Sequence, residues 1–237
     1  MRPMDDPEVV AIEYATTERL AQRRLDRTAW LRGAAEPWLL ALEAIAETRP
    51  RRVLDAGCGN ADFAALIAAP EVVCVDSSPA AVAAARGRGL EALEAVIERL
   101  PFPDGDFDAV ACNWVLYHLV DVDAGLAELA RVLRPGGRFV GVYNCRDHLS
   151  ELADALGAPL GPETGFGCED ADRLGRHFAR VERRDAVTEA SWETRGDLQR
   201  YLDAFSELAD EPLSAPGAPY PFRATRRNCV LVADRAG

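Results

Sequence analysis

Val53-Leu54-Asp55-Ala56-Gly57-Cys58-Gly59-Asn60-Ala61 is the stretch of this 237-residue chain on which the fold depends. A short apolar run with a β-branched residue predicts a strand, which ends on an acid and breaks at two glycines. The alanine-rich residues 61–69 that follow predict a helix. Because glycine lets the backbone turn sharply and approach a ligand closely, this order of elements can hold a ligand above a parallel sheet.

A second acid strengthens this interpretation. The next apolar run, Glu71-Val72-Val73-Cys74-Val75-Asp76, predicts a strand whose last residue follows Asp55 at the roughly 20-residue offset typical of ribose-binding acids. An acid at that position can accept hydrogen bonds from both ribose hydroxyls. Ser78 and Pro79 then predict the N-cap and first residue of a helix.

With these residues the sequence resembles the class I S-adenosylmethionine-dependent methyltransferases of the small-molecule type. Phosphate-binding Rossmann proteins usually carry a third glycine where this chain has Ala61, which disfavours a dinucleotide more than a nucleoside thioether without pyrophosphate. Five segments in the family's order and spacing carry the resemblance: Leu54-Asp55-Ala56-Gly57-Cys58-Gly59, Val75-Asp76-Ser77-Ser78, Leu100-Pro101-Phe102-Pro103-Asp104, Phe107-Asp108-Ala109-Val110 and Arg131-Val132-Leu133-Arg134-Pro135-Gly136-Gly137.

Alternating strands and helices predict an α/β fold with a parallel sheet covered on both faces. Together with the resemblance, the pattern predicts a Rossmann-like, doubly wound, mostly parallel seven-stranded sheet with one antiparallel strand. Residues 1–49 are expected to form an N-terminal helical lid and residues 50–237 the methyltransferase domain, within a single domain overall. Strands are predicted near 51–55, 71–76, 93–98, 107–112, 138–143, 180–188 and 228–233, with a turn at 134–137. The principal helices are predicted near 8–27, 36–47, 61–69, 79–87, 122–133, 169–177 and 195–208.

The resemblance implies S-adenosyl-L-methionine as cofactor and S-adenosyl-L-homocysteine as product. It implies that Asp76 takes the ribose hydroxyls and that Ser77 packs near the adenine. The amino-acid end of the cofactor is expected at the glycine turn, formed by Asp55, Ala56, Gly57, Cys58 and Gly59.

Two further cofactor contacts follow from the resemblance. The loop before Leu100-Pro101-Phe102 would read the adenine edge, and family members often have an acid and then a small residue where this loop has Val96-Ile97. Either Glu98, which Arg99 follows, substitutes for the acid, or the backbone does most of the reading. Asn113 lies where the family presents a polar group close to the methyl donor.

Acceptor contacts are expected from the segment after the fourth predicted core strand and from the lid. Trp114, Tyr117 and His118 face the acceptor in the family. His118 is the candidate catalytic base for a phenol or alcohol acceptor. A neutral amine acceptor would need little help from a base. The alternative role of the His118 side chain is to pack or to cap. His148 either lines the acceptor pocket or begins a helix. In the lid, Tyr14 and Arg19 are candidate substrate contacts, or part of a solvated polar face.

The predicted function is methyl transfer to an oxygen, nitrogen or carbon atom of a small molecule. The alternative is a protein that binds S-adenosylmethionine or its product without methyl transfer, as a binding module or a non-methylating enzyme. A formal charge of −12 argues against a nucleic-acid partner, which normally needs a basic surface. The sequence carries no signal for an oligomeric state.

The six cysteines lie far apart and form no Cys-x-x-Cys pair. They predict buried free thiols in a reducing cytoplasm, without a disulfide or a metal site. The N-terminus is acidic and lacks the apolar core of a signal peptide, and no apolar run is long enough to span a bilayer. The sequence therefore predicts a cytoplasmic protein without a membrane partner.

Overall fold

The computed structural model describes residues 31–32, 36–158, 166–203, 213–217 and 219–237. The helix predicted at 8–27, with Tyr14 and Arg19, lies outside the described residues. Eight strands are present in the described part: β1 (Leu31–Arg32), β2 (Arg52–Ala56), β3 (Glu71–Asp76), β4 (Glu91–Glu94), β5 (Phe107–Ala111), β6 (Leu133–Asn144), β7 (Arg180–Trp192) and β8 (Phe222–Asp234).

The strands form one sheet in the spatial order β1-β7-β8-β6-β5-β2-β3-β4. β2 pairs in parallel with both β3 and β5, and β4 and β6 extend the parallel sheet on either side. β8 runs antiparallel to β6 and β7, which confirms the predicted Rossmann-like sheet with one antiparallel strand. The two-residue β1, antiparallel to β7, adds an eighth strand at the edge that the sequence did not predict.

Helices cover both faces of this sheet, and the predicted start of one of them is visible in detail. Ser78 Oγ accepts a hydrogen bond from the Ala81 N–H at 3.3 Å and caps the second helix, with Pro79 at its first position. The helices are α1 (Pro37–Ala46), α2 (Pro79–Gly87), α3 (Val122–Val132), α4 (Ser150–Leu156), α5 (Ala171–Leu174) and α6 (Arg195–Asp203). Single 3₁₀ turns occupy Ala64–Leu66, Ile97–Arg99, Leu116–His118 and Cys168–Asp170.

Three local predictions are wrong. The strand predicted near 93–98 is instead β4, Glu91–Glu94, followed by the 3₁₀ turn Ile97–Arg99. The helix predicted at 61–69 is only the 3₁₀ turn Ala64–Leu66, because Ala61 adopts a left-handed φ of 56° and a right-handed helix cannot begin there. The turn predicted at 134–137 lies inside β6. Its backbone pairs with the chain end beyond β8, since the Gly136 N–H donates to the Arg235 carbonyl and the Arg235 N–H donates to the Gly137 carbonyl.

The core lies on both faces of the sheet because successive strand residues point to opposite sides. Leu54 and Val110 pack toward α3, in a cluster that includes Leu126 of that helix. Val53 and Ala109, their sequence neighbours, pack toward α1. This two-sided burial is the doubly wound arrangement that the sequence predicted.

The expectation of six free thiols is wrong for two of them. Cys145, directly after β6, forms a disulfide with Cys168, 23 residues later in the chain. The 3₁₀ turn at Cys168–Asp170 folds back against the end of β6, where the Cys168 sulfur also lies 3.4 Å from the Tyr143 carbonyl oxygen. Cys58, Cys74, Cys112 and Cys229 are free and buried. Separately, every helix within the described ranges falls short of the length and apolarity needed to cross a membrane.

Candidate active site

The backbone N–H groups of the turn after β2 donate three hydrogen bonds to the end of β3, two to a backbone carbonyl and one to a side chain. The N–H groups of Gly57 and Cys58 donate to the Val75 carbonyl at 2.7 and 3.1 Å. The Gly59 N–H donates to Asp76 Oδ2 at 2.9 Å. Since β2 lies between β3 and β5, where the strand order reverses, this turn lies at the topological switch point of the sheet.

Gly57 has two physical reasons to be glycine. Its φ of 77° lies in the left-handed region, which a side chain disfavours. A Cβ atom at this position would lie 2.4 Å from Val115 Cγ2, in the segment after β5. The turn and that segment therefore pack against each other without room for a side chain.

Asp76 joins the two turns through both carboxylate oxygens. Oδ2 accepts from the Gly59 N–H and Oδ1 from the Ser78 N–H, each at 2.9 Å. Burial raises the pKa of Asp76, opposed by the hydrogen bonds from the backbone of Ser78, Gly59 and Ser77. A carboxylate offers about four acceptor positions, so these bonds leave capacity for ribose hydroxyls. The ribose role of Asp76 stays a prediction.

Asp55 is a buried acid near the carboxyl end of β2. Its exposure is 2%, and Oδ2 has no hydrogen-bond partner within the described part of the chain. Burial and, to a smaller extent, the negative charge of Asp76 together raise the pKa of Asp55 from 3.8 to about 7, although a hydrogen bond from the Ala64 backbone opposes the shift. A buried carboxyl group with an unused oxygen is suited to bind a cationic or hydrogen-bond-donating ligand group.

The loop predicted to read the adenine edge follows β4 beside Asp76. The Ala95 N–H donates to the Asp76 carbonyl at 3.1 Å. Val96 is exposed, whereas Ile97 is buried in the core cluster beneath α3. Glu98 is half-buried and Arg99 is exposed. The apolar pair thus begins a packed 3₁₀ turn, and both expected modes of adenine reading stay predictions.

Asn113 and Trp114 lie directly after β5, at the same end of the sheet. Asn113 Oδ1 accepts from the Val142 N–H at 3.0 Å, while its buried Nδ2 has no partner among the described residues. Trp114 adopts a left-handed φ of 54°, a strained conformation for a bulky residue. Its Nε1–H donates to Asn144 Oδ1 at 2.9 Å, and its ring lies 6.4 Å from the Trp38 ring of α1.

Tyr117 and His118 follow in a 3₁₀ turn, with their ring centroids 4.4 Å apart. Both are half-buried. Tyr117 packs against the core cluster under α3, whereas Trp114 packs against the cluster under α1, so this segment crosses over the end of the sheet. On the neighbouring rim, His148 Nδ1 lies 3.0 Å from the Arg227 carbonyl oxygen. The predicted acceptor residues that the structure describes thus lie at one end of the sheet, over both of its faces. They are Trp114, Tyr117, His118 and His148.

Sequence reasoning missed two amides at this rim, Asn144 and Asn228. They are direct partners in the β6–β8 pairing, and Asn228 Nδ2 donates to Asn144 Oδ1 at 2.6 Å. Asn228 Oδ1 is buried without a partner in the described part of the chain. Each residue begins an Asn-Cys dipeptide at the edge of an apolar strand, and that repetition is the signal that could have identified them.

Comparisons with known proteins agree with this geometry. Residues 54–141 match the family model described as a methyltransferase domain. Demethylmenaquinone methyltransferase from Deinococcus radiodurans is 40% identical over 141 residues, which are 55% of this chain and 55% of that protein. The enzyme of the same name from Thermus thermophilus is 44% identical over 110 residues, which are 42% of this chain and 50% of that protein. The chain spans about half the length of these curated relatives.

Solved structures share the fold at low sequence identity. A putative methyltransferase from Bacillus halodurans has a TM-score of 0.58 at 16% identity, covering 84% of this chain and 99% of its own. The N-methyltransferase NodS from Bradyrhizobium japonicum, in complex with S-adenosyl-L-homocysteine, has a TM-score of 0.54 at 15% identity, covering 84% and 86%. The cyclase SpnF has a TM-score of 0.53 at 19% identity, covering 84% and 80%. At these identities the likeness concerns the fold alone.

Proposed function

Because residues 54–141 match a methyltransferase-domain model, we propose that this chain is a class I S-adenosylmethionine-dependent methyltransferase that transfers a methyl group to a small-molecule acceptor. The observation that carries the proposal is the turn from Asp55 to Gly59, joined through Asp76 to the end of β3 inside the matched segment. Cofactor and acceptor groups meet at such a switch point in open α/β sheets.

The residues at this turn fit the zwitterionic end of S-adenosylmethionine. The unpartnered Asp55 Oδ2 can accept a hydrogen bond from an ammonium group, and the unpartnered Asn113 Nδ2 can donate to a carboxylate or to the acceptor. Asp76 would accept the ribose hydroxyls, with Ser77 beside the adenine and either Glu98 or the backbone at its edge. Arg99, in the same loop, would be a neighbouring contact of the cofactor.

When bound, the cofactor supplies an electrophilic methyl group on a sulfonium ion. The residues of this chain would bind and orient both reactants and exclude water, which is the main protein contribution to such a transfer. Trp114, Tyr117 and His148 would line the acceptor side. Tyr14 and Arg19 remain candidate lid contacts.

The acceptor is proposed from the curated relatives, whose names describe methylation of demethylmenaquinone. We propose a quinol-like or phenol-like aromatic as the first acceptor class, which gives oxygen and ring carbon as the target atoms to test. We propose a cytoplasmic location and no nucleic-acid or membrane partner. A reducing compartment would favour the free thiols of Cys145 and Cys168 over their disulfide.

A second candidate function is binding of the cofactor or its product without methyl transfer. The cyclase SpnF shares the fold under a name that describes a different reaction. This likeness shows that unrelated chemistries recur on one scaffold, and it does not choose between the two functions.

Two measurements on the full chain separate these functions. Calorimetric titration with S-adenosylmethionine and with S-adenosylhomocysteine measures binding. Incubation with methyl-labelled S-adenosylmethionine and a panel of quinols, phenols and amines measures transfer. The proposal predicts binding and a labelled product. Binding with no product across the panel would favour the second function, and no binding of either compound would overturn both.

Replacing His118 by alanine is expected to lower turnover about 10²–10⁴-fold for an acceptor that must lose a proton, which is the usual contribution of a general base. Cofactor affinity should stay within about twofold, since the residue is assigned to the acceptor side. The acidic limb of the pH–rate profile should disappear. Steady-state kinetics across pH, with calorimetry for the cofactor, measure all three.

His177→Ala is the matched control, because the His177 imidazole lies 3.3 Å from Asp123 and belongs to an ion-pair cluster rather than to the site. This control should retain turnover. An unchanged rate and pH profile in His118→Ala would assign that side chain to packing.

A further inference from the structure

Three cysteines converge on the rim beside Asn144 although they are distant in sequence. Cys145 follows β6, Cys168 begins a 3₁₀ turn and Cys229 lies in β8. Their sulfur atoms all lie within 4.8 Å of one another, and their exposures are 7%, 0% and 0%. Neither the family match nor the names of the relatives describe this cluster.

Sulfur atoms at this spacing suit a soft metal ion. Thiolates bind zinc at about 2.3 Å, so two sulfurs on one tetrahedral ion stand roughly 4 Å apart. Sulfur ligands select soft ions over calcium or magnesium, which prefer oxygen. Three protein sulfurs leave one position of a four-coordinate ion for water or another small ligand.

The charge around the cluster fits a divalent ion. Arg183 Nη2 lies 3.5 Å from Cys145 Sγ, and Arg183 Nη1 donates to the Cys168 carbonyl at 3.1 Å. Three thiolates, one divalent ion and one guanidinium sum to zero charge, whereas a monovalent ion would leave a buried excess of negative charge. Arg183 also pairs with Asp185 at 2.7 Å, but that carboxylate is 61% exposed and is therefore screened by water.

We propose that the reduced thiols of Cys145, Cys168 and Cys229 form a binding site for a soft divalent cation of the zinc type. The disulfide between Cys145 and Cys168 excludes the ion, so a thiol reductant must first convert it to two thiols while forming its own disulfide. The ion then forms three metal–sulfur bonds and displaces one proton from each thiol. This proposal departs from the expectation of no metal site and does not depend on methyl transfer.

The bound ion would tie together three separate segments. It would link the end of β6 and the 3₁₀ turn Cys168–Asp170 to β8, next to the Asn144–Asn228 pair. Because the ion binds the folded arrangement of sulfurs, binding should raise the melting temperature.

Titration of the full chain with Cd²⁺ tests the proposal, since Cd²⁺ is a soft divalent ion whose thiolate complexes absorb in the ultraviolet. The protein is first reduced with a phosphine, which does not compete as a thiol, and stripped with a chelator. The expected result is a charge-transfer band that saturates at one Cd²⁺ per chain, with a rise in melting temperature. The oxidised protein, with two sulfurs held in the disulfide, should give neither.

Cys229→Ser should weaken Cd²⁺ binding by at least about tenfold. Substituting a residue that only hydrogen-bonds to a metal ligand lowers metal affinity by about 10–100-fold, and the loss of a ligand itself should cost at least as much. Cys74→Ser is the matched control, a buried free thiol in β3 outside the cluster, and should bind as the native chain does. Equal binding by oxidised and reduced protein, no one-to-one complex, or unchanged affinity in Cys229→Ser would each overturn the proposal. The comparison of the two redox states decides the question even if a variant fails to fold.

Discussion

Replacing Gly57 by alanine is expected to destabilise the protein and to weaken cofactor binding at least about tenfold, the effect of about 1.4 kcal/mol. The left-handed φ of 77° should cost about 1–2 kcal/mol once a Cβ is present. The new atom would lie 2.4 Å from Val115 Cγ2, and relieving that overlap should add about 1–3 kcal/mol. Denaturant unfolding and calorimetric titration with S-adenosylhomocysteine measure the two effects.

Gly89→Ala is the matched control for backbone strain. Its φ of 80° is nearly the same, but a Cβ there would meet nothing within 4 Å. This variant should show the φ cost alone and normal cofactor affinity. Equal destabilisation of both variants would contradict the assigned packing of Val115 on the turn.

Val115→Ala isolates the packing contribution. In a double-mutant cycle with Gly57→Ala, truncating Val115 removes the two methyl carbons that the new Cβ approaches most closely. The two substitutions should therefore couple favourably by about 0.5–3 kcal/mol. Simple additivity of their unfolding free energies would exclude a steric cause.

Sequence reasoning succeeded where the signal is local. Three correct predictions each depend on residues that are close together in the sequence. They are the strand before Gly57, the acid that ends β3 and the helix cap formed by Ser78 and Pro79. Hydrophobic periodicity and turn chemistry determine such elements with little help from the rest of the chain. The order of these elements, together with the family resemblance, was sufficient to predict the sheet and the position of its switch point.

The predictions that failed concern contacts made across long stretches of chain. Asn228 reaches Asn144 over 84 residues, and their meeting depends on the antiparallel register of β6 and β8, which no local pattern specifies. Cys168 meets Cys145 across 23 residues because its 3₁₀ turn packs against the end of β6, a tertiary contact that no local pattern specifies. Ala61 is the local exception, because the tight turn overrides the helical preference of alanine.

The unliganded protein is expected to lose stability as pH rises, because of Asp55. Its folded pKa of about 7 exceeds the ordinary value of 3.8. Between these values the folded state keeps a proton that the unfolded state has released, so the free energy of unfolding falls with rising pH and levels off above pH 7. The shift corresponds to a loss on the order of 4 kcal/mol. Urea unfolding at pH 5 and pH 8 measures the part of this loss that falls between those two values, about 3 kcal/mol.

Asp55→Asn should remove this contribution and make the unliganded protein more stable than the native chain at pH 8. Asp76, whose pKa burial also raises, should leave a residual slope of the same sign. Glu128→Gln is the control. Hydrogen bonds from Arg131 and from the Leu100 backbone lower the pKa of Glu128 from its ordinary 4.5, so its stabilising effect is lost as pH falls below that value and contributes little to the difference between pH 5 and pH 8.

The same Asp55→Asn substitution is expected to weaken cofactor binding at pH 8, since a charged hydrogen bond contributes about 1.5–3 kcal/mol. Stability and affinity should therefore change in opposite directions, with affinity measured by calorimetric titration. A carboxyl group kept only for the fold would lower stability when it is neutralised. A buried carboxyl group kept to bind a cation destabilises the empty protein and is stabilised when the ligand arrives. Unchanged affinity together with an unchanged pH slope would assign Asp55 to neither role.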